Sequence, residues 1–122
     1  MTPVLIIDDD RDTRESLRDT LVDEGFAVDD VGTGAEGLAY LGEHDVCLVL
    51  LDWNMAPMDA PAFMLALRDV ERARTTPVAL LTADSRISSR GVVEGFVACL
   101  KKPVDLDTLF ALVARYSGHD AR

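Results

Sequence analysis

The sequence predicts an α/β fold, a doubly wound sandwich of a parallel sheet with helices on both faces. Short runs rich in Val, Ile and Leu recur along the chain, and the segments between them carry apolar residues at helical spacing. Three of the runs are apolar at successive positions instead of alternating, as a strand must be when helices cover both of its faces. Strands alternating with helices in this way build a parallel sheet with right-handed crossovers. With 122 residues, 48% of them hydrophobic and 28% charged, the chain has the size and the apolar content of a single folded domain.

The elements follow in order. Val4 to Ile7 is the first strand, and Leu17, Leu21 and Val22 mark the apolar stripe of a helix that Gly25 would end. Ala27 to Val31 is the second strand; it is short and carries Asp29 and Asp30, which suits a sheet edge. Gly32 and Gly34 precede a second helix with Leu38 and Leu41 on its stripe. Val46 to Leu51 is the third strand, followed by a helix bearing Phe63, Met64 and Leu67, and Val78 to Leu81 is the fourth. Between Ser85 and Gly95, Ser85, Ser88, Ser89, Gly91 and Gly95 are poor helix formers, so the helix expected there is the weakest and most mobile element. Val97 to Leu100 is the fifth strand. The last helix carries Leu106, Leu109, Phe110, Leu112 and Val113, with Asp105 or Asp107 as its cap. Residues 1–122 thus read as one domain with a core of about 3–116 and a tail over 117–122.

Twelve Lys plus Arg against twenty-two Asp plus Glu give a formal net charge of −10. Such a field repels phosphate backbones and anionic lipid, which disfavours direct nucleic-acid or membrane binding. Cys47 and Cys99 sit inside apolar runs and read as reduced core residues, not as a disulfide or metal ligands. No stretch approaches the roughly 18 apolar residues of a membrane span, and the first residues carry no export signal, so a cytoplasmic location is expected. His44 and His119 are lone and flanked by polar residues or Gly, as surface histidines are.

In a parallel sheet the carboxyl ends of the strands share one edge, where function is expected. Asp8, Asp9 and Asp10 follow the first strand, Asp52 the third, Thr82 the fourth and Lys102 the fifth. Clustered carboxylates repel one another, and a hard cation with oxygen ligands, Mg²⁺ or Mn²⁺, relieves that repulsion. A carboxylate beside such an ion can attack phosphorus and form an acyl phosphate. Asp52, alone at its strand end, is the candidate nucleophile; Asp9, with Asp8 in support, would hold the metal directly or through water. Lys102 would pair with one phosphoryl oxygen and Thr82 would hydrogen-bond to another. A blander reading of the Asp triplet stands beside this one: a helix N-terminal cluster that satisfies free amides and the dipole.

Taken together, Val4-Leu5-Ile6-Ile7-Asp8-Asp9-Asp10, Leu48-Val49-Leu50-Leu51-Asp52-Trp53-Asn54-Met55, Pro77-Val78-Ala79-Leu80-Leu81-Thr82-Ala83 and Leu100-Lys101-Lys102-Pro103 resemble the receiver domain of the two-component response regulators, over about Pro3 to Tyr116. The resemblance implies a five-stranded parallel sheet of order 2-1-3-4-5, a CheY-like arrangement with five helices. It implies Asp52 as phosphoacceptor, Asp8 and Asp9 as the acidic metal pair, Thr82 as the switch hydroxyl, Lys102 as the phosphate-binding lysine, a metal contact from the Asn54 carbonyl, and a cis Lys102–Pro103 bond. Asn54 and Asp84 match positions that modulate acyl-phosphate lifetime. The phosphoryl donor would be a histidine kinase, a histidine phosphotransfer protein or a small phosphodonor. A downstream protein would dock on the face made by the fourth helix, fifth strand and fifth helix, and a monomer is expected, with dimerisation on phosphorylation as the alternative. Such a domain is a signalling module, enzymatic only toward its own phosphorylation and dephosphorylation.

The sequence departs from the family at three places. Ala56 stands where Pro is usual, with Pro57 displaced by one; Ala60 stands where Gly is usual; and Cys99 takes the place of the switch aromatic. The signal would then travel otherwise, through displacement of the Ser85 to Gly95 segment. These departures keep open a pseudo-receiver that binds partners without phosphorylation. Asp8-x-Asp10 also has a faint likeness to aspartate-nucleophile phosphatases of the haloacid dehalogenase group, but Asp12 replaces their Thr or Val. A calcium loop fails because Thr13 stands where Gly is needed.

Overall fold

Every residue of Val4–Ile7, Leu48–Asp52 and Val78–Thr82 is buried, which is the burial the unbroken apolar runs require. The structure, a computed structural model, describes residues 2–53, 57–84 and 95–118. The elements are β1 (Val4–Ile7), α1 (Arg11–Asp23), β2 (Val28–Val31), α2 (Gly34–Glu43), β3 (Leu48–Asp52), α3 (Ala60–Leu67), a 3₁₀ turn over Glu71–Ala73, β4 (Val78–Thr82), β5 (Ala98–Lys101) and α4 (Leu106–Ser117). The strands form one parallel sheet of order β2-β1-β3-β4-β5, as expected. The fourth helix anticipated between the last two strands falls at 85–94, outside the described residues.

Alternate residues of each central strand feed two separate cores. Leu5, Ile7, Val49, Leu51, Val78 and Leu80 pack with Leu41 of α2 and Phe63 and Leu67 of α3. Val4, Ile6, Leu48, Leu50, Ala79 and Leu81 pack on the other face with Leu21 of α1 and Leu109 and Val113 of α4. Each fully buried Leu or Ile contributes about 1.5–3 kcal/mol, so two apolar faces on one strand hold the middle of the sheet firmly. Phe96 joins the first core as plain packing.

Side-chain caps start the helices. Asp10, Thr33, Asp59 and Asp105 accept from the backbone N–H three residues on, which settles Asp105 over Asp107. Gly25 takes φ 96° just past the end of α1, a backbone angle that favours glycine.

Several sequence expectations need correction. Asp52 and Thr82 are the last residues of β3 and β4, not the residues just past them, because the ladder continues through Asp52 opposite Leu81 and Thr82 opposite Lys101. Ala27, Val46 and Val97 precede their strands. Val22 is 50% exposed, since Leu21 alone turns fully inward at the end of α1. Cys47 and Cys99 are free and half-buried at the margins of the two cores, not inside them. Ser117 belongs to α4, which Gly118 ends at φ 71°; the rest of the expected tail, with His119, lies outside the described residues. His44 is exposed and stacks on Tyr40 with ring centroids 4.3 Å apart. No described helix is long and apolar enough to cross a membrane.

Candidate functional site

Strand register assembles the site. Ile7 of β1 pairs with Leu51 of β3, so the next residues, Asp8 and Asp52, emerge side by side at the carboxyl edge of the sheet. Asp8 is fully buried and Asp52 nearly so, while Asp9 is exposed. One carboxylate oxygen from each of Asp8, Asp9 and Asp52 lies within 4.8 Å of the others. Asp10 takes no part in this group: its carboxylate turns to α1, accepting from the Thr13 amide at 3.0 Å and from the Thr13 hydroxyl. Those bonds hold its carboxyl below the usual range. The helix-cap reading of the triplet thus holds for Asp10, while Asp8 and Asp9 lie in the acidic group with Asp52.

Lys102 closes the site from just past the end of β5. Its main-chain N–H donates to the Thr82 carbonyl at 2.8 Å, which anchors the residue beside β4. The Nζ ammonium donates to Asp8 Oδ2 at 3.1 Å and to Asp52 Oδ1 at 3.2 Å. Burial disfavours the charged ammonium, but Asp52 and Asp8 outweigh it and hold the Lys102 pKa above the ordinary lysine value. The Lys102–Pro103 peptide is cis.

Thr82, 1% exposed, accepts from the Asp84 amide at 3.0 Å through Oγ1. That bond uses the oxygen as acceptor, so the O–H can donate to a ligand oxygen. Trp53 is half-buried beside Asp52, its amide bonded to the Leu81 carbonyl at 2.8 Å. Cys99 packs at the margin of the first core with its thiol pKa pushed up by burial. Asn54 and Ala56 lie outside the described residues, and Ala60 is the buried first residue of α3.

The donor set suits a small divalent cation. Three carboxylates with one ammonium between two of them leave two formal negative charges over a space the width of a coordination sphere. Hard oxygen ligands of this kind favour Mg²⁺ or Mn²⁺. One residue at the back of the site was missed by the sequence reading: Arg14 of α1 donates through Nη1 to the Asp8 carbonyl at 2.9 Å. The signal that could have found it is Arg14 and Arg18, one helical turn apart and facing Asp30 of β2.

Known proteins resemble this chain in sequence and in fold. Response regulator Rre1 of Synechocystis is 37% identical over 113 residues, which cover 90% of this chain and 49% of the relative. An uncharacterised 14.6 kDa protein of Leptolyngbya boryana is 36% identical over 115 residues, 93% of this chain and 88% of the relative. The chain therefore spans about half the length of the first and most of the second. Among solved structures, the chemotaxis protein CheY4 of Vibrio cholerae superposes with a TM-score of 0.82 at 29% identity, covering 95% of this chain and 98% of that one. The family model for the response regulator receiver domain matches residues 4–114, a span that takes in all five strands, the acidic edge and Lys102, and the chain belongs to that family.

Proposed function

We propose that this receiver domain takes a phosphoryl group onto Asp52 with the help of a divalent cation and changes a partner-binding surface in response. The observation that carries the proposal is the Lys102 ammonium shared by Asp8 and Asp52, with Asp9 completing a cation-sized acidic group. Asp8, Asp9 and Asp52 would hold Mg²⁺ or Mn²⁺, together with the Asn54 carbonyl that the family resemblance implies. The bound ion would neutralise charge on the transferring phosphoryl oxygens.

The chain's own residues do the rest. An Asp52 carboxylate oxygen attacks phosphorus of a phosphohistidine on a histidine kinase or phosphotransfer protein. The new P–O bond forms as the P–N bond breaks, and the departing electron pair returns to the imidazole, which is reprotonated by solvent. Lys102, already in contact with Asp52, pairs with a phosphoryl oxygen. Thr82 donates its hydroxyl to another and draws the start of the following loop, through Asp84, toward the site. Return to the resting state needs water to attack phosphorus, releasing inorganic phosphate and restoring the carboxylate; Asp84 and Asn54 are the side chains to orient that water. The output face would comprise the segment before β5, β5 itself and α4, with Cys99 in place of an aromatic switch.

The test is a Trp53 fluorescence titration with Mg²⁺ followed by beryllofluoride, in the wild type and in Asp52→Asn. The expected result is a Mg²⁺ response in the wild type and a further beryllofluoride response that the variant lacks. A wild type silent to both, and unmodified by a small phosphodonor in an intact-mass assay, would overturn the proposal and favour phosphorylation-independent partner binding.

A further inference from the structure

We infer that Arg14 is a positioning residue for the acidic site, tying the main chain of Asp8 to Asp30 on the neighbouring strand and so setting the affinity for a divalent cation. The inference rests on the reading that Asp8, Asp9 and Asp52 take such a cation.

Arg14 bonds in two directions at once. Nη1 donates to the Asp8 carbonyl at 2.9 Å, and Nε donates to Asp30 Oδ2 at 2.7 Å. Arg18, one turn further along α1, donates through Nη1 to Asp30 Oδ1 at 3.0 Å, so Asp30 is gripped from both oxygens. The Arg14 and Asp30 side chains are only 16% and 14% exposed, which sets this pair apart from the surface ion pairs of the chain. The planar guanidinium fork keeps its two bonds at a fixed mutual angle.

At the other end, the Asp8 carboxylate accepts from the Asp10 amide at 2.9 Å and from Lys102 at 3.1 Å. Arg14 therefore completes the bracing of Asp8: the carboxylate is held from the front and the carbonyl from the back. Gly32 leaves room for the guanidinium, since a Cβ there would lie 3.0 Å from Arg14 Nη1. Outer groups that orient a ligand in this way typically change metal affinity about 10–100-fold when removed.

Charge and position act with opposite sign here. A guanidinium near a cation site repels the cation, so if charge alone mattered, Arg14→Met would tighten Mg²⁺ binding. If Arg14 positions Asp8, the same change weakens it. The experiment measures the Mg²⁺ dissociation constant by Trp53 fluorescence and by calorimetry, at low and high ionic strength, with circular dichroism to confirm folding. For Arg14→Met we expect about tenfold weaker binding that persists at high salt, where a charge effect would be screened. Arg14→Lys, which keeps the charge and loses the fork, should fall between the two, while Arg18→Met, which leaves Asp8 untouched, should match the wild type. Unchanged or tighter binding by Arg14→Met overturns the inference, and so does an equal loss in Arg18→Met. If Arg14→Met does not fold, Gly32→Ala crowds the same guanidinium with every charge kept; it should weaken binding, and wild-type affinity would overturn the inference. A wild type that binds no Mg²⁺ refutes instead the cation-site reading beneath it.

Discussion

Replacing Lys102 by Met keeps most of the side-chain stem and removes the ammonium that lies 3.1 Å from Asp8 and 3.2 Å from Asp52. At an effective dielectric of about 20, each contact is worth about 5 kcal/mol of attraction, and desolvation of the charges takes several kcal/mol back. The Lys102 side chain stays 24% exposed, so its own share of that penalty is incomplete. Breaking a buried pair typically costs about 3–5 kcal/mol, because a charge is left without a partner. We expect Lys102→Met to lose about 3 kcal/mol in chelator, a large share of the about 5–15 kcal/mol that holds a domain together. Its Tm should fall by on the order of 10 °C. Mg²⁺ should restore part of the loss by neutralising the same carboxylates. Urea and thermal unfolding followed by circular dichroism, with and without Mg²⁺, measure this directly. A variant as stable as the wild type in chelator would refute the electrostatic reasoning.

Asp9→Asn relieves repulsion among three carboxylates within 4.8 Å and should raise stability in chelator by about 1 kcal/mol, while abolishing the stabilisation that Mg²⁺ gives the wild type; calorimetric melts in the two buffers check both signs. The raised Lys102 pKa means that its ion pairs stabilise the fold in full below the unfolded lysine value of about 10.4 and are lost as pH rises through the higher folded value. The stability gap between wild type and Lys102→Met should therefore narrow above about pH 10.4, and a gap that widens there would reverse the sign. Gly37→Ala gains about 1 kcal/mol of helix propensity in α2, yet the new Cβ would land on Ile7 Cδ1 and lie 3.5 Å from Phe63 Cε1. Overpacking of about 1–3 kcal/mol should win, so chemical denaturation should show a less stable protein.

Much of this molecule is legible in the sequence because burial leaves a local trace. The all-apolar runs of β1, β3 and β4 reflect strands covered on both faces, and Asp29 and Asp30 mark β2 as an edge. What was misread lies at boundaries and margins. Asp52 and Thr82 look like the first loop residues, yet the ladder extends through them, since hydrogen bonding between strands takes no account of side-chain polarity. Cys47 and Cys99 sit in apolar runs, but Cys47 precedes β3 and Cys99 lies on the edge strand β5, and both are only half-buried.

The sequence by itself determined the parallel α/β architecture and the inventory of acids, hydroxyl and ammonium at one sheet edge, because apolar runs and the alternation of strand and helix patterns along the chain are properties of neighbouring residues. Only the tertiary structure decided how the three consecutive aspartates divide. Asp8 goes inward against Asp52 and Lys102, Asp9 faces solvent within the same cation-sized group, and Asp10 caps α1. The physical reason is that a carboxylate's role depends on where the backbone points it as the chain leaves β1 and on the groups that parallel pairing brings alongside. Neither depends on which residue type comes next, so three identical side chains carry three different jobs.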